Sequence, residues 1–321
     1  MDTNDIADQL EEQLEQGFAM RDEQGRVVLR IGLLTTLYFD TGSMPVGREA
    51  VAQCIADYLA MCREQLRWAL HPKGGGWREL SKNPVPTPAE WFAESRPAEN
   101  DIWEFYYHGG DSADESSDFR VYGVGARKWQ SELHGRLSFL SAALPLTWFA
   151  DHAGSFPEFV LGWCRRLRPM HGYAGLGILD SPDAGVAEAH KQMTYGLARR
   201  FPGLEADYPI SHVHYLKDGI KGVNWLTVLS TPWLERLGGL PTLQTELAEP
   251  FRLHEYDGGL VIQAGAMPQL GDSNRKLQIA EYRRLARVLR PIRVSDHASF
   301  PAWSGFDEER TTAWLARFDE P

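Results

Sequence analysis

Two histidines in alternate positions are the residues of this sequence whose spacing most directly suggests chemistry. His212 and His214 are separated by one valine. In a β-strand such residues face the same side, so both imidazoles could reach one metal ion. Asp207 or Asp218 could supply a third ligand, although no spacing fixes which one. A metal-dependent small-molecule enzyme is therefore one hypothesis, and structural or surface histidines are the alternative.

Other catalytic signatures are absent from the sequence. It has no G-x-S-x-G elbow for a nucleophilic serine and no P-loop, and the glycines of residues 172–177 lack the spacing of a dinucleotide-binding loop. The leading prediction is a protein that is not an enzyme and has no catalytic residue, no cofactor and no bound metal.

An acidic segment and two tryptophans are the candidates for binding a partner. The turn-rich segment 109–118 contains Asp111, Asp114, Glu115 and Asp118. It lacks the alternating ligands of an EF-hand calcium loop, which leaves a solvated hairpin tip or a tip that meets a basic protein.

The tryptophans lie in a stretch that predicts a long irregular loop. Residues 74–97 contain three consecutive glycines and four prolines, together with Trp77 and Trp91. Loops of this length are often functional. Trp77 and Trp91 could be exposed interface anchors, or they could fold back over the core.

Composition limits the class of protein. The 321 residues carry a formal net charge of -11 and 43% hydrophobic residues, which indicates a globular chain and argues against general nucleic-acid binding. The three cysteines suit buried thiols in a reducing compartment. With no secretion signal and no long apolar run, we predict a cytoplasmic protein that does not enter the membrane. We predict one domain over residues 1–321, and a homo-oligomer remains open.

Hydrophobic periodicity predicts an α+β fold with mixed or antiparallel sheets flanked by helices. Two loosely similar strand-helix-hairpin halves on a shared core are one possible arrangement. The predicted helices cover part of residues 1–24 and residues 48–69, 156–167, 186–201, 232–237 and 277–289. The predicted strands cover residues 27–39, 102–108, 119–126, 137–149, 173–179, 223–230, 252–256 and 260–266, with Pro145 placing 137–149 at a sheet edge or a bulge.

Three segments resemble one family of bacterial proteins. The most specific is residues 219–229, GIKGVNWLTVL, followed by WLERLGG at residues 233–239. Residues 30–39 and 256–265 are similar to the same family, and the resemblance extends over residues 27–292. The family is that of the type VI secretion immunity proteins, whose prototypes neutralise toxins with a restriction-endonuclease-like domain.

This resemblance implies an α+β antitoxin that is not an enzyme and that binds a cognate effector, in this case a nuclease toxin. A nuclease grips an anionic backbone, so an acidic protein could occupy its basic site. The acidic segment and the two tryptophans are then the expected contacts. A structural subunit of the secretion apparatus is a further alternative.

Overall fold

The computed structural model describes residues 18–72, 74–151 and 155–319. The strands are β1 Ala19–Arg21, β2 Val27–Phe39, β3 Trp68–Leu70, β4 Trp77–Glu79, β5 Trp103–His108, β6 Arg120–Gly125, β7 Ser138–Leu144, β8 His171–Asp180, β9 Glu205–Ala206, β10 Leu226–Ser230, β11 Phe251–Tyr256 and β12 Gly259–Ala264. The helices are α1 Pro45–Cys62, α2 Pro88–Ser95, α3 Lys128–His134, α4 Leu146–Asp151, α5 Ser155–Leu167, α6 Ala184–Arg200, α7 Pro209–His212, α8 Thr231–Arg236, α9 Gly239–Glu246, α10 Ala280–Val288 and α11 Glu308–Leu315. The predicted helix in residues 1–24 lies largely outside the described residues.

All twelve described strands belong to one open sheet, which confirms the α+β prediction. Its order is β11-β12-β10-β8-β2-β7-β6-β5-β3-β4, with β1 paired to β2 and β9 paired to β8. Neighbouring strands are antiparallel except β8 and β9, which are parallel. The long strands β2 and β8 pair in the middle, and each is followed by a helix and later by a hairpin. The order of strands differs between the two sides.

The interior of the sheet explains the apolar runs that predict β2 and β8. Leu29, Ile31, Leu33 and Leu37 of β2 alternate along the strand and are fully buried in one core with α1 and α5. Three free cysteines on these two helices are buried. Burial raises the pKa of the Cys62 thiol to about 11.

The predicted helix 48–69 extends too far. Helix α1 ends at Cys62, and Trp68 pairs with His108 of β5. The apolar residues Leu66 and Ala69 continue the helical period, but the backbone of this segment bonds to the sheet edge instead, with the Arg67 N–H donating to the His108 carbonyl at 2.9 Å. Tertiary context therefore overrides the local pattern.

The stretch 74–97 is not an irregular loop throughout. It contains the edge strand β4, paired to β3, and the helix α2. Thr87 and Glu90 form a capping box at the start of α2, with Pro88 in its first turn. This Thr-x-x-Glu signal is readable in the sequence.

The predicted strand 137–149 is also too long and misplaced. Strand β7 ends at Leu144, before Pro145, and α4 begins at Leu146. It lies in the interior of the sheet, between β2 and β6. Pro145 therefore marks the end of an interior strand and not an edge position.

Candidate functional site

A row of hydroxyl-bearing side chains crosses one face of the sheet. Tyr106 of β5 lies opposite Tyr122 of β6, which lies opposite Ser141 of β7. The row continues to Thr36 of β2 and Tyr173 of β8. Directly opposed residues of antiparallel strands project to the same side, so these five side chains share one face. A polar row therefore crosses this face between apolar side chains such as Leu34 and Phe139.

Asp207 contacts the part of this row that lies on β7, β2 and β8. Its carboxylate accepts hydrogen bonds from Thr36 at 2.7 Å, from Ser141 at 3.5 Å and from the Tyr173 hydroxyl. The Asp207 side chain is fully buried. A buried carboxylate needs such donors, because they replace the hydrogen bonds to water that it loses on burial.

Lys221 supplies the countercharge for this buried site. Its ammonium lies 2.6 Å from Glu205 and 3.9 Å from Asp207, and it donates to the Tyr173 hydroxyl at 2.7 Å. Burial lowers the pKa of Lys221, and the two carboxylates oppose that shift. Arg317 adds a second cation to Glu205 at 3.4 Å, and burial lowers the pKa of Arg317 to about 10. This network ties β8 and β9 to the last described segment.

An open cleft of about 290 Å³ lies at the other end of the row, where β5 and β6 contribute Tyr106 and Tyr122. We call it the acidic aromatic cleft. Its lining includes the carboxylates Glu104, Asp180 and Asp207, the cation Arg120, and the aromatic rings Trp77, Tyr106, Tyr122, Tyr208 and Trp303. Trp303 is 38% exposed, and Tyr106 and Tyr122 stack with ring centroids 4.5 Å apart.

The charges in this cleft are unbalanced. Glu104 accepts a hydrogen bond from Tyr122 at 3.0 Å, and Asp180 accepts from Thr194 and Tyr208, each at 2.9 Å. Burial raises the pKa of Asp180, and its two hydrogen bonds oppose that shift. Asp207 is already opposed by Lys221, so Glu104 and Asp180 are the carboxylates that face the single cation Arg120 beside aromatic rings. This arrangement suits a cationic side chain, which is attracted to both groups.

The acidic segment 109–118 borders this cleft but is not a free hairpin tip. Ser181, which lines the cleft, donates to the backbone oxygen of Asp114 at 2.6 Å. Asp114 pairs with Arg26 and Asp118 with Arg30, whereas Asp111 is exposed and pairs with Arg67. The three aspartates that were expected to meet a basic partner are thus already paired with arginines of the same chain.

Glu115 is an inward-facing residue, which corrects its expected place on the surface. It is 6% exposed and accepts backbone N–H groups of Val27 at 3.1 Å, Asp111 at 2.7 Å and Ser112 at 3.2 Å. A carboxylate that holds three backbone donors fixes the loop against β2. The loop therefore has a defined shape.

The two tryptophans have different environments. Trp77 is half-buried, lines the acidic aromatic cleft and packs edge-on against His108 with centroids 4.6 Å apart. Trp91 lies on helix α2, is only 6% exposed and packs against Phe105. The expectation that Trp91 is an exposed anchor is wrong, because the helix turns it into the core.

The histidine pair is not arranged as a metal site. His212 ends the short helix α7 and is fully buried, whereas His214 is exposed, so strand alternation does not apply. The Nε2 atom of His212 accepts the Tyr208 amide, and Nδ1 meets His297 at 3.1 Å. Burial with nearby Lys221 lowers the pKa of His212 well below its usual value. Within residues 18–72, 74–151 and 155–319, no three His, Cys, Asp or Glu side chains are grouped to hold a metal ion.

Glu104, Asp180 and Trp303 were not singled out from the sequence. The alternation of polar residues in Glu104, Tyr106 and His108, matched by Arg120 and Tyr122 across the hairpin, could have indicated a polar sheet face. Asp180 and Trp303 carry no such local signal, because they reach the cleft from distant segments.

A family model, TsiV, described as type VI immunity for VRR-NUC, matches residues 50–318. The chain belongs to the TsiV family. The match begins later and ends later than the resemblance in residues 27–292, and it confirms the family. TsiV membership implies a type VI secretion immunity protein with a cognate toxin.

A solved structure supports the same assignment. The Pseudomonas aeruginosa T6SS protein PA0821 is similar, with a TM-score of 0.83 and 26% identity over 98% of this chain and 91% of that chain. No curated protein sequence matches this chain. None of the helices in the described part of this TsiV member combines the length and apolar character of a membrane span.

Proposed function

We propose that this TsiV-family protein binds and neutralises a nuclease effector of the type VI secretion system without catalysis of its own. We further propose that the acidic aromatic cleft and the adjoining segment 109–118 form the effector-binding surface. The observation that carries the proposal is the cleft, where Glu104 and Asp180 face the single cation Arg120 beside the exposed ring of Trp303 and the half-buried rings of Trp77 and Tyr122.

The chemistry of the cleft fits a nuclease partner. A nuclease must present lysine and arginine side chains to the phosphate backbone of its substrate. Such a side chain would enter the cleft, stack on Trp77 or Trp303 and approach Glu104. Occupying those cations competes directly with the nucleic acid. A nuclease finds its substrate in the cytoplasm, so we place the proposed complex there.

The bordering segment adds specificity under this proposal. Asp111 is the outermost carboxylate, with its side chain 72% exposed, and would meet a rim cation of the effector. Asp114, Asp118 and Glu115 act indirectly, because their bonds to Arg26, Arg30 and the backbone hold the loop in place. Rim charges mainly raise the association rate, whereas buried aromatic anchors dominate affinity.

Calorimetric titration against a catalytically silenced cognate effector tests this proposal. The wild-type protein should bind with a nanomolar Kd, and Trp77→Ala or Glu104→Lys should weaken binding by about thirtyfold or more, as expected for an interface hot spot. Asp111→Lys should reduce the association rate and its salt dependence with a smaller change in Kd.

Matched controls separate the cleft from general effects. Trp129→Ala changes another exposed tryptophan, and Glu94→Lys changes an exposed glutamate, both outside the cleft lining. Both controls should bind like wild type. Equal Kd values for the cleft variants and the controls would exclude the cleft, and absence of binding by the wild-type protein would reject the nuclease partner.

A further inference from the structure

A second cleft has the opposite charge to the protein as a whole. It measures about 430 Å³, and its lining contains the cations Arg199, Lys276, Arg283, Arg310 and Arg317. Among the described residues that line it, none is an aspartate or a glutamate. We call it the cationic cleft. On a chain with a net charge of -11, such a concentration of cations is unexpected without a ligand to oppose it.

Two of the five cations are already engaged. Arg317 is nearly buried, donates to the Pro202 carbonyl at 2.9 Å and lies 3.4 Å from Glu205. Arg310 stacks over Tyr195 at 4.4 Å, donates to the Gly305 carbonyl at 2.9 Å and lies 3.6 Å from Asp307. These two side chains form a fixed wall of the cleft.

The other three cations have no ion pair and no side-chain hydrogen bond within the described ranges. Arg199 is exposed at the end of α6, Arg283 is half-exposed in α10, and Lys276 is exposed on the turn between them. By contrast, Arg26, Arg67 and Arg166 elsewhere on the surface each meet a carboxylate. The cleft therefore presents three available positive charges on a concave surface.

Hydrogen bonds to Asp272 hold the turn that carries Lys276. Asp272 is 3% exposed, accepts from Arg200 at 3.2 Å and caps the backbone N–H groups of Asn274 and Arg275 at 2.9 and 3.2 Å. Lys276 itself adopts a left-handed backbone with φ of 57°, an unfavourable conformation for lysine that this turn imposes. The backbone that carries this cation is thus ordered before any ligand arrives, which lowers the entropy lost on binding.

We infer that the cationic cleft binds a carboxylate-bearing segment of the cognate effector. This inference rests on the proposed function. Leu277, which is 52% exposed, lies beside the cations, and this mixture suits a peptide with both acidic and apolar side chains. A long nucleic acid is disfavoured, because a chain with a net charge of -11 repels a polyanion outside the cleft itself.

The test is a titration of the silenced effector with the double variant Arg199→Glu/Arg283→Glu. The control is Arg165→Glu/Arg290→Glu, which makes the same charge change at two exposed arginines outside the cleft. The cleft variant should bind at least about tenfold more weakly than the control, and Arg199→Gln/Arg283→Gln should lie between them. Thermal melting of each variant checks that the fold is intact.

The outcomes separate this inference from the proposed function. If the wild type binds the effector and the cleft variant matches the control, the cationic cleft is not a contact and the proposed function stands. If the wild type fails to bind, both are rejected. A labelled DNA oligonucleotide provides the other arm: micromolar binding by the wild type that Arg199→Glu/Arg283→Glu abolishes would make the cleft a nucleic-acid site and overturn the inference.

Discussion

Replacing Lys221 with methionine should destabilise the protein severely, because methionine has a similar side-chain shape but no charge to oppose Glu205 and Asp207. Lys221 is 3% exposed and lies between Glu205 and Asp207 beneath the polar row. Breaking a buried ion pair by removing one partner costs about 3–5 kcal/mol. Glu205 keeps Arg317 at 3.4 Å, so Asp207 is the carboxylate left without a cation. We therefore expect the lower end of that range, about 3 kcal/mol.

Urea unfolding at pH 7, followed by tryptophan fluorescence, measures this loss. For a chain of 321 residues, the same loss corresponds to a drop in Tm of about 4–5 °C. The matched control is Lys217→Met, because Lys217 is exposed and its ammonium has only a 3.4 Å contact with the Ser131 carbonyl. The control should change stability by less than about 0.5 kcal/mol.

A second variant tests the physical reason. Adding Asp207→Asn to Lys221→Met removes the uncompensated carboxylate and should recover part of the lost stability, since a neutral amide needs no countercharge. A loss below about 1 kcal/mol for Lys221→Met, or no recovery in the double variant, would refute the assignment of Lys221 as the countercharge of the buried site.

Three further predictions concern acid stability, thiol reactivity and the core tryptophan. Burial lowers the pKa of His108 and His171 to about 4, so below pH 6.5 the unfolded chain binds protons that the folded chain does not. The free energy of unfolding should therefore fall by about 2 kcal/mol per histidine between pH 7 and 5. Urea unfolding that gives the same free energy at both pH values would contradict this. Cys62, with a thiol pKa of about 11, should not react with a thiol reagent at pH 8 until the protein is denatured, and rapid native labelling would show that the helix is open. Trp91→Ala should cost about 3–5 kcal/mol in unfolding free energy and leave the effector Kd unchanged, whereas a weakened Kd in the folded variant would place Trp91 at the interface.

Much of the fold follows from local pattern. Residues 27–39 form a predicted strand because a continuous apolar run suits a strand buried on both faces, and β2 has those bounds. Asp257 and Gly258 correctly predict the hairpin of β11 and β12, where Gly258 adopts φ of 112°. The helices α5 and α6 follow from their apolar periodicity.

The candidate site depends on long-range register, which a single sequence does not contain. Glu104, Asp180, Asp207 and Trp303 meet only because β8 pairs with β2 and the segments after α6 fold over the sheet. His212 shows the same limit, since a short helix at Pro209 replaced the expected strand and buried one histidine while exposing the other. Of the two tryptophans that line the cleft, Trp77 was singled out in the sequence by its residue type.

Inhibition of the proposed nuclease activity of the cognate effector tests the central claim most directly. Cleavage of a labelled DNA would be followed while the immunity protein is added at increasing molar ratios to active effector, with Trp77→Ala/Glu104→Lys as the comparison. We expect wild-type protein to abolish cleavage at a ratio near one, and the cleft variant to need a large excess. Full nuclease activity in the presence of excess wild-type protein would contradict the account.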